Sequence, residues 1–188
     1  MTLPRGFRAD AERKALQWRR ALAVAPTAPL DLSELGRRLG VGFISADTLI
    51  DRTRLEELER LQAFAFSAAT FLIRDRRFVV TNPLRTPGRL TSDIAHELAH
   101  LLLEHDLTEI QDIDGMPFRT CSPSQEEQAT ALGGTLLLPR PLLLAAATRG
   151  LDLDRIATVY GVTTDMARYR YNTTGVAKQS RRRPPAGP

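Results

Sequence analysis

The sequence predicts an α+β fold: a mainly helical domain built around a small antiparallel sheet. Three observations predict it. Segments of helical character, punctuated by glycine and proline, occupy the first 40 residues and everything after residue 90. Between them AFAFSAATFLIRDRRFVVT (63–81) is rich in aromatic and β-branched residues and is broken by RDRR, which reads as two or three antiparallel strands. The 188 residues are 43% hydrophobic, enough for one core, and show no internal repeat.

Residues 9–25 (ADAERKALQWRRALAVA) form an amphipathic helix with Leu16, Trp18 and Leu22 as its apolar contacts and Pro26 as its stop. After the linker PTAPL, Asp31 caps a short helix that closes at Gly40. VGFIS (41–45) is an apolar strand. DRTRLEELER (51–60) fits a helix or a hairpin arm, and the pattern does not choose between them. NPLRTPG (82–88) is a loop. Helices are expected over 91–105, 122–138, 140–149, 152–160 and 163–172.

The bulk numbers exclude several classes. No apolar run approaches the roughly 20 residues of a membrane span, and the N-terminus lacks the apolar region of a secretory signal. Cys121 is the sole cysteine, which excludes a disulfide framework and argues against a cysteine zinc site. A reducing cytoplasm is the expected compartment. The net charge of +4 is local: residues 161–188 carry six Lys/Arg against Asp165, whereas the first 160 carry 20 basic and 21 acidic groups. One domain over 1–175 and a basic, disordered tail over 176–188 follow, the tail ending in RRRPPAGP.

All three histidines fall within HELAHLLLEH (96–105). His96 and His100, four apart, share one face of a helix one turn apart. Two neutral imidazoles so placed can grip one Zn²⁺ at about 2.0–2.1 Å each. Glu97 then projects beside the metal, where it can take a proton from a water whose pKa the zinc lowers towards about 7. This is the H-E-x-x-H arrangement of metalloproteases. Thr91 or Ser92 is expected to cap the helix, Asp93 to complement its positive end, and Ile94, Leu98, Leu101 and Leu102 to bury it.

A catalytic zinc needs a third protein ligand and an open position. His105, five past His100, turns away if the helix continues. Asp106 stands where the extended H-E-x-x-H-x-x-G-x-x-H pattern has its third ligand, but Leu103 replaces the glycine that pattern needs. Glu126 opens the helix SPSQEEQATALGGTLLLP, and Ala129 and Gly133 share its face, which lets this helix approach the HELAH helix closely. Glu127 points about 100° away. A His96, His100, Glu126 site with water in the fourth position results.

HELAHLLLEH followed by EEQATALGGTLLLP resembles the ImmA/IrrE family of metallo-endopeptidases. Ala95 through Leu103 match that family's first motif, and Glu126, Ala129, Leu136, Leu137, Leu138 and Pro139 its second. APLDLSELGRRLGVGF and LDLDRIATVYGVTTDMARYR extend the likeness to about residues 10–172. Ala99 replaces the usual glycine, and Thr130 and Leu132 replace the frequent Asn/Asp and Phe, so the hydrogen bond usual at 130 is in question. The resemblance implies a zincin-like peptidase domain that uses Zn²⁺ to cleave an intracellular protein, in this family often a helix-turn-helix repressor. Such a repressor is expected to be a separate chain here.

RIATVYGVTTDMARYR (155–170) also has a helix-turn-helix look, with Arg168 and Arg170 as DNA-reading candidates. A helical hairpin packed on the core is the plainer reading, and the resemblance favours it. The alternative function is thus a regulatory or DNA-binding protein with a structural or vestigial zinc site. A third is hydrolysis of a non-peptide substrate. Tyr160, Tyr169, Tyr171 or an arginine is the candidate donor to the oxyanion of a tetrahedral intermediate, with no choice among them from sequence. Cys121 has no histidine left to activate it.

Overall fold

The computed structural model describes residues 3–61, 66–105, 110–113, 116–119 and 122–181. Helix α1 (Phe7–Ala21) is followed by α2 (Leu32–Arg38), strand β1 (Val41–Ser45), a 3₁₀ turn and α3 (Arg52–Leu61). The hairpin β2 (Ala68–Ile73) and β3 (Arg76–Thr81) leads into α4 (Pro87–Leu102). A second hairpin, β4 (Ile110–Ile113) and β5 (Met116–Arg119), precedes α5 (Pro123–Leu137). The chain continues through α6 (Arg140–Thr148), α7 (Leu153–Tyr160), α8 (Thr164–Thr173) and α9 (Val176–Arg181).

The architecture is α+β and mainly helical, as predicted. The charged 51–60 segment is the helix α3, its Leu55 buried against β3's Val80 and Ala46. β2 and β3 pair antiparallel through the two-residue turn Arg74-Asp75, both at positive φ, so RDRR is the tip of a tight hairpin. β1 joins on the far side of β3 in parallel, Val41 opposite Arg77, which makes the three-stranded sheet mixed. The β4–β5 hairpin was not expected.

α1 stops at Ala21 rather than at Pro26. Ala23 adopts φ 55°, and the Val24 N–H reaches back to the Arg19 carbonyl, a C-terminal cap that ends the helix before the proline acts. The buried stripe of α1 is Ala11, Ala15 and Arg19, not the larger Leu16. The small residues allow α1 to lie close to α5. Arg19 then donates to the Leu136 and Leu137 carbonyls (2.8 and 3.2 Å) at the end of α5 and to Ala28 (2.6 Å). Burial lowers its pKa to about 10, offset in part by Glu12 and Tyr160, so it stays charged at neutral pH. Arg170 of α8 does the same for Leu138 (3.1 Å) and pairs with Glu12 (2.6 Å). Two buried guanidiniums thus satisfy the carbonyls that the end of α5 leaves open.

The first part of the segment expected as a tail over 176–188 is helical. α9 occupies Val176–Arg181, with Val176 wholly buried in the core; residues 182–188, including most of RRRPPAGP, lie outside the described residues. A valine that can leave water outweighs the basic composition around it. Among the described residues no single helix is long and apolar enough to cross a membrane, though α5 and α6, bent by 47°, pass by length and composition together.

Candidate metal centre

α4 begins four residues before Thr91. Thr86 is its N-cap residue and Pro87 its first turn, where proline's fixed φ is already helical. Thr91 and Ser92 therefore sit inside the helix, and their hydroxyls donate to Pro87 and Gly88 carbonyls (3.0 Å each) instead of capping. Asp93 does not serve the helix end. It accepts from Arg89 (3.0 Å) and from the Ser67 hydroxyl at the start of β2. Leu98 and Leu102 are buried, and Ile94 and Leu101 pack on the core, as expected. Lys14 of α1 donates to the Leu102 carbonyl (2.7 Å), a cation at the negative end of α4.

α5 lies along α4. A Cβ on Gly133 would stand 2.9 Å from the Ala95 carbonyl oxygen and 3.0 Å from the His96 nitrogen, so only glycine permits this approach. The obstacle is backbone and has no rotamer to yield. Gly133→Ala is expected to force α5 off α4, lower the unfolding free energy by about 1–3 kcal/mol and weaken metal binding. Urea unfolding of both proteins checks it, and an unchanged midpoint would contradict the packing argument.

The close approach brings three donors together. His96 Nε2 lies 3.0 Å from Glu126 Oε2 and 3.0 Å from His100 Nε2, and His100 Nε2 lies 3.4 Å from Glu126 Oε1. Ligands about 2.0–2.1 Å from a tetrahedral ion stand about 3.3 Å apart, so the donor set fits one such ion. One residue of each helix pair alone would not: the carboxylate comes from α5, both imidazoles from α4. The His100 side chain is 10% exposed, whereas His96 and Glu126 are 24% and 36% exposed, leaving one side of the triad open. Glu97 is not among the three. It is 3% exposed, and its Oε2 accepts from the Thr70 hydroxyl of β2 at 2.6 Å. The next turn of α5 carries Thr130, whose Oγ1 lies 3.4 Å from His96 Nδ1. The contact in question at position 130 is therefore present, at the long end of the range.

A cleft of about 530 Å³ opens over this group. His96, Glu97 and Glu126 form its floor, Ser67 and Ala68 one wall, and Met166 and Tyr169 of α8 another. Among the three tyrosines Tyr169 alone lines the cleft; Tyr160 is buried in the core and Tyr171 packs against it. Glu127 faces elsewhere, towards Pro4, Gly6 and Arg8. Asp106 and Cys121 lie outside the described residues.

His105 is placed differently from the straight-helix projection. α4 ends at Leu102, and the chain turns so that His105 Nδ1 comes to 3.0 Å from His100 Nδ1. The sequence offered no glycine to announce that turn. Thr70 was missed for another reason: its partner Glu97 is 27 positions away, and only the fold joins them. The helix-turn-helix reading loses one arginine, since Arg170 is 4% exposed and bound to Leu138 and Glu12; Arg168 is exposed and paired with Asp165.

A solved structure described as a Mycobacterium tuberculosis transcriptional regulator shares the fold, with 21% identity and a TM-score of 0.55 over 90% of this chain and 48% of that one. This chain thus spans about half the length of that protein. No curated protein matches. A family model described as Peptidase_M78, IrrE N-terminal-like domain, matches residues 58–172. That segment runs from α3 to α8 and contains the whole cleft floor. With more than half of its length matched, the chain belongs to the family of IrrE N-terminal-like domains of the M78 peptidases.

Proposed function

We propose that this chain is a zinc-dependent endopeptidase that hydrolyses a peptide bond in an intracellular regulatory protein of the repressor type. The observation that carries the reading is the His96, His100, Glu126 donor set at 3.0–3.4 Å with the buried Glu97 carboxylate beside it. A bound zinc would supply Lewis acidity and a water acidified towards a pKa of about 7. Glu97 takes the proton of the attacking water and returns it to the leaving amine. Thr70 holds one oxygen of that carboxylate and so fixes its direction. β2 borders α4, on the Glu97 side, whereas α8 borders α5. Tyr169 lines the same cleft as Glu97, and its phenol is the tyrosine donor available there to the developing oxyanion.

The test compares new protein N-termini in cells making the wild type with those in cells making Tyr169→Phe. Cleavage of a repressor-type protein by the wild type, stopped by a zinc chelator and slowed about 10²–10³-fold in kcat by Tyr169→Phe, is expected. Zinc binding with no cleavage of any protein, together with salt-sensitive retention on DNA, would favour a regulator with a structural metal site.

A further inference from the structure

We propose that His105 is a positioning residue that fixes the tautomer and orientation of His100; the inference rests on the zinc reading above. His100 presents Nε2 to His96 and Glu126, at 3.0 and 3.4 Å. A nitrogen that binds metal offers a lone pair, so the ring proton of His100 must sit on Nδ1. That atom faces His105 Nδ1 at 3.0 Å. Between two ring nitrogens one must donate and the other accept. His100 Nδ1–H therefore donates, and His105 accepts at Nδ1 and carries its own proton on Nε2. The ring centroids are 5.0 Å apart with 69° between planes, so the two Nδ1 edges face each other across twisted rings, as an in-plane N–H aimed at a neighbouring in-plane lone pair requires.

The backbone is shaped for this contact. Glu104 adopts φ 55°, in the left-handed region that favours glycine. The His105 N–H returns to the His100 carbonyl (3.0 Å) and the Glu104 N–H to Leu101 (3.2 Å). These are the two bonds of a Schellman cap, which sets the second residue past the cap against the third-from-last helical position. Here those residues are His105 and His100. The five-residue spacing that turns away on a continuing helix becomes a direct contact on a capped one. It accounts for all three histidines in one ten-residue stretch: two offer lone pairs to one ion, and the third holds a ligand from behind. Such partners raise the basicity of a ligating imidazole and remove its alternative orientations, and their loss costs 10- to 100-fold in metal affinity in general.

The test measures zinc affinity by competition with a chromophoric chelator for the wild type, His105→Asn, His105→Leu and His100→Ala. Asn keeps an acceptor near the place of Nδ1, and Leu keeps bulk without one. His105→Leu is expected to bind about 10- to 100-fold more weakly, His105→Asn to stay near the wild type, and His100→Ala to lose tight binding. Nitrogen NMR of the zinc-loaded wild type should show His100 Nδ1 protonated, with coupling across to His105 Nδ1; this readout needs no variant to fold. Unchanged affinity in His105→Leu, equal losses in Leu and Asn, or an unprotonated His100 Nδ1 would overturn the inference. Unchanged affinity in His100→Ala would instead overturn the zinc reading beneath it.

Discussion

On the proposed function, replacing Glu97 by glutamine is expected to leave zinc bound and to lower peptide hydrolysis by about 10²–10⁴-fold, the range general-base removal costs. Glutamine keeps the length of the side chain and an oxygen that can accept from Thr70, so the 2.6 Å contact and the packing of a 3% exposed group survive. What is lost is the ability to take a proton. Glu97 lies outside the three-donor group, so zinc content should not change. The measurement is kcat/KM on a cleaved target beside the zinc content of the same preparation. Full activity in the variant would remove Glu97 from the chemistry. Loss of zinc would make it a metal ligand instead.

Glu126→Ala carries the other large effect. Structural zinc sites bind with about 10–16 kcal/mol over four ligands, so one ligand contributes about 2.5–4 kcal/mol, or on the order of 10²–10³-fold in affinity. Glu126 is the sole carboxylate in the group and the sole contribution from α5. Without it the donor group keeps only the two imidazoles of α4. Glu127→Ala is the matched control, since that side chain faces the start of α1. A competition titration that gives the same zinc affinity for Glu126→Ala and the wild type would exclude the proposed donor set.

What could be read in the sequence was local or periodic. HELAH specifies two imidazoles on one face because a helix repeats every 3.6 residues. The small face of Ala129 and Gly133 announced a close helix contact, and Gly133 meets the Ala95 backbone as that face requires. Asp31 caps its helix with a side-chain acceptor as its place before LSEL announces, whereas the same residue signal at Thr91 and Ser92 falls inside α4. The illegible parts depend on what the chain meets elsewhere. Arginine at position 19 reads as solvent-facing until the open carbonyls of α5 are placed against it. Parallel pairing of β1 with β3 spans 36 positions at Val41 and Arg77, and no local pattern records it. His105 was misplaced because Glu104 takes a left-handed conformation that glycine normally marks.

The proposed chemistry requires that His96, His100 and Glu126 hold a single divalent ion. Zinc-edge X-ray absorption on the purified wild-type protein, with metal content measured on the same sample, tests it most directly. One zinc per chain is expected, with two imidazole nitrogens and carboxylate oxygen at about 2.0–2.2 Å. A chain that takes up no zinc from micromolar solution, or one whose zinc has three imidazoles or none, would contradict it.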